Sequence, residues 1–242
     1  MINELAAKAG KLAGILAVPA WRQALRQHRV AAGVEHAGVL RNLGPLQTVV
    51  DIGANRGQFA LVARHVFPQA RIISFEPLAG PAALWRAVFA GDDKARLVEA
   101  AVGPKPGAAQ IHLSARDDSS SLLPITARQN ALFPGTAEAG TATIQVVRLT
   151  DALAAADIAA PALLKLDVQG FELQALAGCD ELLDRFTWIY VECSFIELYA
   201  GQAMADDVIA WLRECGFGLR GVYHMAYDGD GRAVQADFLF GR

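Results

Sequence analysis

From position 47 onward the chain alternates short apolar runs with segments of helical spacing, and glycine or proline separates them. Thr48-Val49-Val50-Asp51-Ile52 is an unbroken apolar run closed by a glycine, which predicts a strand buried on both faces. A helix follows over 59–67 and stops at Pro68. Residues 71–76 predict a second strand ended by Pro77, 82–90 a helix, and 96–100 a third strand. The same rhythm resumes later, with a strand over 162–167, a helix over 172–177, a strand over 187–192, and a helix over 206–215 stopped by Gly216. Segments 219–223 and 236–240 flank Asp228-Gly229-Asp230-Gly231 and predict a hairpin. Alternating strands and helices that end in a hairpin imply an α/β fold with a mostly parallel central sheet and an antiparallel C-terminal edge.

Two stretches break the rhythm. Residues 1–44 are rich in alanine and leucine and read as helices, with Pro19 starting or kinking one near 21–29. Gly44-Pro45 closes this leader. In the middle, 110–113 and 144–149 predict strands separated by the polar run Asp117-Asp118-Ser119-Ser120-Ser121 and a loop holding Pro134-Gly135. The expected organisation is a helical N-terminal leader over 1–45 and one domain over 46–242, decorated by a β-rich insertion at about 108–149.

With 242 residues, 53% hydrophobic and 19% charged, the chain can bury a large core without a disulfide or metal. Disorder and collagen-like repeats are excluded. No apolar run reaches the ~18 residues of a membrane span. The net charge of −3 argues against a protein that coats nucleic acid. It is unevenly placed: residues 1–48 carry six basic and two acidic groups, +4, and the remainder carries −7. A basic leader could meet an anionic surface, but a solvated helical face is the simpler reading. Cys179, Cys193 and Cys215 are odd in number and lack zinc-like spacing, so they read as reduced core thiols. Ala17-Val18-Pro19-Ala20 only faintly resembles a cleavage site, and a cytoplasmic location is expected.

Three groups of residues carry candidate chemistry. In Asp51-Ile52-Gly53-Ala54-Asn55-Arg56-Gly57, a buried strand feeds a glycine turn and then a helix, so Gly53 and Gly57 could let backbone approach a ligand. Asn55 stands where a dinucleotide fingerprint has its second glycine, which disfavours a nicotinamide oxidoreductase. Glu76, followed by Pro77, ends the next strand, where an acidic side chain can accept both hydroxyls of a ribose or instead cap a helix. Glu99 and Ala100 end the third strand and could border a base. In Leu164-Lys165-Leu166-Asp167-Val168-Gln169-Gly170-Phe171-Glu172, Lys165 and Asp167 share a face, and a lysine among leucines needs a partner. Asp167 and Glu192 both fall at carboxyl ends of strands and could serve as base, metal ligand or orienter.

These motifs, in this order and spacing, resemble the FkbM family of S-adenosylmethionine-dependent methyltransferases over roughly residues 46–242. Gln169 departs from the glutamate found in many members, so no strict role is expected there. The resemblance implies a class I methyltransferase fold and an O-methyltransferase acting on sugar or polyketide hydroxyls. By position, Asp51, Gly53 and Gly57, with Asn55 nearby, would shape the pocket for the cofactor's amino-acid moiety. Glu76 would hold the ribose, and Asp167 would lie near the methionine end and the acceptor.

Asp167, Glu192 and His224 are the candidate bases for a hydroxyl acceptor. Ser119, Ser120 and Ser121, with Asp117 and Asp118, could form a lid that hydrogen-bonds a polyol. Phe195, Tyr199 and Tyr223 could stack on a sugar, although core packing is the simpler role of each. A divalent metal would have only Asp167 and Glu192 as evident ligands, with no histidine-rich cluster in support. The expected partner is a small-molecule or glycan acceptor and not a nucleic acid. The leader could fold back on the sheet or build a homo-oligomer. A non-catalytic cofactor-binding scaffold is the alternative class.

Overall fold

The computed structural model describes residues 2–242, with side chains from Ala9 onward. Seven strands form the main sheet in the order β3-β2-β1-β7-β8-β10-β9. They are β1 (Thr48–Ile52), β2 (Arg71–Phe75), β3 (Ala95–Val98), β7 (Ala162–Leu166), β8 (Trp188–Ser194), β9 (Gly218–Tyr227) and β10 (Ala233–Gly241). β1, β2, β3, β7 and β8 run parallel, and β10 and β9 are antiparallel at one edge. The mostly parallel sheet with an antiparallel C-terminal edge is the one anticipated from the alternation, and the class I methyltransferase-like α/β architecture is the one the resemblance implied. β1 and β7 are buried at every position, which is why their sequences show no polar alternation.

The remaining strands, β4 (Ala101–Val102), β5 (Gly107–Ser114) and β6 (Glu138–Val147), form a separate three-stranded sheet in the order β4-β6-β5. It has a small apolar cluster of Ile111, Ile144 and Val146.

Among the described residues, nine α-helices flank the sheets: α1 (Ile2–Ala17), α2 (Pro19–His28), α3 (Ala37–Arg41), α4 (Gln58–Val66), α5 (Ala79–Val88), α6 (Ala127–Leu132), α7 (Leu149–Ala152), α8 (Glu172–Ala177) and α9 (Ala205–Glu214). Helix α6 lies where only a loop was anticipated. Its signal was Thr126, whose hydroxyl accepts from the Gln129 amide as an N-cap.

Each face of the main sheet has its own cover. Val50, Ile52, Leu164, Leu166 and Ile189 pack toward α8 and α9 through Leu176, Val208 and Leu212. Val49, Ile72, Leu163 and Leu239 face α4 and the leader, meeting Trp21, Leu40 and Leu43. The Trp21 indole donates to the Leu61 carbonyl at 3.0 Å and so fastens α2 to α4. The leader therefore folds back on the sheet. The opposite charges of Lys11 and Glu35 lie 2.9 Å apart on its outer side. Among the described residues no helix is long and apolar enough to cross a membrane.

Candidate active site

A cavity of ≈ 450 Å³ opens at the carboxyl ends of β1, β2 and β7. Its walls include Gly53, Asn55, Glu76 and Pro77 on one side and Asp167 and Gln169 on the other. The insertion contributes Ser119, Ser120 and Ser121, and the leader contributes Glu35 and His36.

The glycine turn is fixed by its neighbours as much as by any ligand. Gly53 has φ 79°, and a Cβ there would lie 1.8 Å from the Asp167 carbonyl oxygen. The ends of β1 and β7 thus approach too closely for any side chain. The Gly53 and Ala54 amides both donate to the Phe75 carbonyl at 3.0 Å. Gly57, with φ 91°, starts α4 against Trp85 and Phe89, and a Cβ would sit 2.9 Å from each ring. It does not line the cavity, so its glycine is demanded by helix packing rather than by ligand approach.

Glu76 is 5% exposed and accepts from the Asn55 amide at 2.9 Å and the Leu78 amide at 2.8 Å. Burial pushes its pKa up to about 7, against those two hydrogen bonds. Each oxygen uses one acceptor site on the backbone and keeps another. The capping role and the ligand-holding role can therefore coexist on one carboxylate.

Register places Asp51 opposite Lys165 and Lys165 opposite Tyr190 on the leader face. Lys165 Nζ lies 3.1 Å from Asp51 Oδ1 and 3.8 Å from Asp167 Oδ2, and it donates to the Gly53 carbonyl at 3.2 Å. Burial alone would lower the Lys165 pKa, but Asp51 and Asp167 outweigh it and hold the ammonium charged. Asp51 is fully buried and supports this pair rather than facing the cavity.

Gln169, for which no strict role was expected, sits at the centre of the site. Its backbone is left-handed at φ 57°. Its amide nitrogen donates to Asp167 Oδ1 at 2.7 Å and to Glu192 Oε2 at 3.2 Å. Its amide oxygen accepts from the Tyr199 hydroxyl at 2.5 Å. An N–H donor thus occupies the approach to both carboxylates considered as metal ligands. Glu192 is also held by Gln235 at 2.9 Å and does not line the cavity. Burial, then the Asp167 charge, raises its pKa well above the carboxylate range. Glu172 fixes the turn below by accepting from the Val168 and Gly170 amides, each at 3.1 Å.

The serines line the cavity, but their hydroxyls are engaged within the protein. Ser121 donates to the Gln169 carbonyl at 2.6 Å, Ser119 donates to Asp118 at 3.2 Å, and Ser120 accepts from the Ser114 amide at 3.1 Å. Asp117 pairs with Arg56 at 2.5 Å and Asp118 with Arg116 at 2.9 Å. The loop is therefore a tied wall, in which the Ser120 hydroxyl accepts a backbone amide and keeps its own proton to donate.

Six further anticipated positions lie apart from the cavity. Glu99 pairs with Arg86 on the surface at 2.7 Å, and Ala100 is buried. Ala101 and Val102 border the cavity instead. His224 does not line it either: its nitrogens engage Asp237 at 2.7 Å and the Glu35 carbonyl at 3.0 Å beneath the leader. Phe195, Tyr199 and Tyr223 are likewise not among the lining residues, and Phe195 packs 5.7 Å from Phe238.

Comparison with known proteins identifies the family. The family profile described as the methyltransferase FkbM domain matches residues 51–219. The chain is 30% identical over 164 residues to the 2-O-methyltransferase NoeI of Sinorhizobium fredii, covering 65% of this chain and 68% of that protein. It is 29% identical over 198 residues to the 31-O-demethyl-FK506 methyltransferase FkbM of Streptomyces tacrolimicus, covering 72% and 74%. A solved structure assigned as an O-methyltransferase from Klebsiella pneumoniae aligns over 96% of both chains with a TM-score of 0.52 and 13% identity, which speaks to fold alone. The chain belongs to the FkbM family of S-adenosylmethionine-dependent methyltransferases.

Proposed function

We propose that the protein transfers a methyl group from S-adenosylmethionine to a hydroxyl of a sugar, glycan or polyketide-type small molecule. The observation that carries this reading is the buried Glu76 carboxylate, which faces one cavity together with the Gly53 turn, Asp167 and Gln169. The names of both curated relatives place the methyl on oxygen.

The residues present fit the cofactor. Glu76 keeps acceptor capacity for two ribose hydroxyls, and the Gly53–Asn55 turn presents backbone without side-chain bulk. Glu76 would hold the ribose and the Gly53–Asn55 turn the amino-acid moiety, with Asp167 near the methionine end and the acceptor. When bound, S-adenosylmethionine supplies an electrophilic methyl on a sulfonium. The chain must then align an acceptor oxygen, and positioning of this kind can lower a barrier by ~7–11 kcal/mol. Asp167 is the proposed base. It lines the cavity, its side chain is 39% exposed, and Gln169 and Lys165 hold it in place. Glu192 lies behind it and orients Gln169. Ser119, Ser120 and Ser121 shape the acceptor side by fixing the loop.

The test has two arms. Calorimetric titration with S-adenosylhomocysteine is expected to show micromolar binding, lost in Glu76→Ala. Methyl transfer to a panel of hydroxylated acceptors is then expected in the wild type and abolished in Asp167→Asn, with homocysteine-compound binding retained. A folded protein that binds NAD and not S-adenosylhomocysteine would overturn the cofactor. Near-wild-type turnover by Asp167→Asn would remove it as the base.

A further inference from the structure

Beneath the leader, four donor atoms converge from four parts of the chain, and all but that of Tyr190 lie outside the residues matched by the family profile. His36 comes from the turn Val34–His36, Tyr190 from β8, His224 from β9 and Asp237 from β10. The donor atoms of His36, His224 and Asp237 all lie within 4.8 Å of one another. Tyr190 Oη is 3.1 Å from His36 Nδ1, 3.1 Å from His224 Nδ1 and 2.8 Å from Asp237 Oδ2. His224 Nδ1 and His36 Nδ1 lie 2.7 and 3.6 Å from Asp237 Oδ2. A tetrahedral zinc ion with bonds of ~2.0–2.1 Å needs donors spaced by about 3.3 Å. The five distances scatter around that edge length.

Two further observations point the same way. His224 has a left-handed backbone at φ 48° in a non-glycine residue. It sits in a bulge, because Gln235 pairs with Ala226 while Asp237 pairs with Tyr223, so β9 spends three steps against two. Strand alternation would turn His224 away from the face that carries Tyr223; the bulge brings its ring back over Asp237. Its Nε2 lies 3.0 Å from the Glu35 carbonyl, an acceptor, so Nε2 carries the proton. The Nδ1 lone pair of a neutral ring then faces a carboxylate oxygen at 2.7 Å, a contact that needs a second proton or a cation between the two atoms. A ligating imidazole whose other nitrogen donates to a backbone carbonyl is the usual outer arrangement of metal-binding histidines.

We propose that His36, His224 and Asp237, with Tyr190 or a water in the fourth position, form a binding site for a borderline divalent transition ion, zinc above all. Nitrogen and oxygen donors of this kind suit zinc over magnesium or calcium. His224 and Asp237 belong to the C-terminal hairpin and His36 to the leader, so the ion acts as a clip between chain ends. The clip fixes Glu35 and His36, which wall the proposed acceptor cavity. This is a positioning role, apart from the methyl-transfer chemistry, and it does not depend on which acceptor the enzyme takes.

The experiment uses untagged full-length protein dialysed against chelator and then titrated with Co²⁺ and competed with Zn²⁺. The expected result is one Co²⁺ per chain with the intense visible bands of a tetrahedral ion, displaced by Zn²⁺, and a Tm raised by Zn²⁺. His36→Ala and His224→Ala should lose the bands and the Tm response. Asp237→Asn should weaken Co²⁺ binding at least tenfold while keeping the polar packing. His112→Ala, in the insertion 3.1 Å from Glu138, should bind as the wild type does. Circular dichroism of each variant separates lost binding from lost fold. Absence of stoichiometric binding by the wild type would show a hydrogen-bonded cluster only. Full binding by folded His36→Ala and His224→Ala would place the ion elsewhere. Either outcome overturns the site.

Discussion

Glu172 lies buried beneath the turn at the end of β7 and touches backbone amides, with no cation paired to it among the described residues. Burial, helped by the Asp167 charge, pushes its pKa up to about 7. In the unfolded chain an ordinary glutamate ionises near pH 4.3. The folded state therefore holds a proton that the unfolded state releases first. Stability from this group is fully present below the unfolded value and is lost as pH rises through about 7. Glu76 shifts in the same direction to the same value. A shift of this size corresponds to about 4 kcal/mol for the fully buried Glu172. The ligand-free protein is expected to melt at lower temperature at pH 8 than at pH 5. Glu172→Gln keeps the acceptor oxygen and removes the titration, so it should make that drop smaller. An unaltered Tm–pH slope in Glu172→Gln would contradict this assignment. The sequence made Asp167, Glu76 and the glycine turn legible because each sits at a strand end, where period two and a breaker residue fix its place. It did not reveal Gln169, because bridging two carboxylates depends on the register of β7 against β8 and on the Tyr199 hydroxyl from a distant loop.

At the level of elements, most strands and helices were readable for a simple reason: both sheet faces are covered, so buried strands are plain apolar runs ended by glycine or proline. What the pattern could not show was which face the leader covers. Trp21 carries that contact. It is 3% exposed, joins the leader-face cluster, and donates to Leu61 in α4. Trp21→Ala should remove a large buried ring and leave a cavity, at a cost of about 3–5 kcal/mol. Trp21→Phe should cost less, since most of the ring volume is kept and only the hydrogen bond, worth about 1 kcal/mol, is lost. Denaturant unfolding of the three proteins checks the order. Equal stability of Trp21→Ala and wild type would mean that α2 does not pack on α4 in solution.

At the scale of the whole molecule, the leader has two duties that the sequence kept separate. It lies outside the stretch matched by the family profile, yet its Leu40, Leu43 and Trp21 cover Val49, Ile72 and Leu163 of the sheet, and its Glu35 and His36 wall the cavity. A chain starting at residue 46 would present that apolar face to water. Patches of several hundred Å² are rare on stable monomers and drive association. It would also lose Glu35 and His36 from the cavity wall, and His36 is the histidine that joins the leader to the C-terminal hairpin. The truncated chain 46–242 is therefore expected to aggregate on size-exclusion chromatography, to show no cooperative thermal transition, and to bind S-adenosylhomocysteine weakly or not at all. Adding residues 1–45 as a separate peptide should restore some solubility if the contacts described here are the cause. A truncated chain that elutes as a monomer and melts cooperatively would show that the domain folds without its leader. The packing of Trp21 and His36 would then be a late docking event and not part of the core. Intact cofactor affinity in that monomer would narrow the leader's duty further, to the acceptor side of the cavity, where Glu35 and His36 stand.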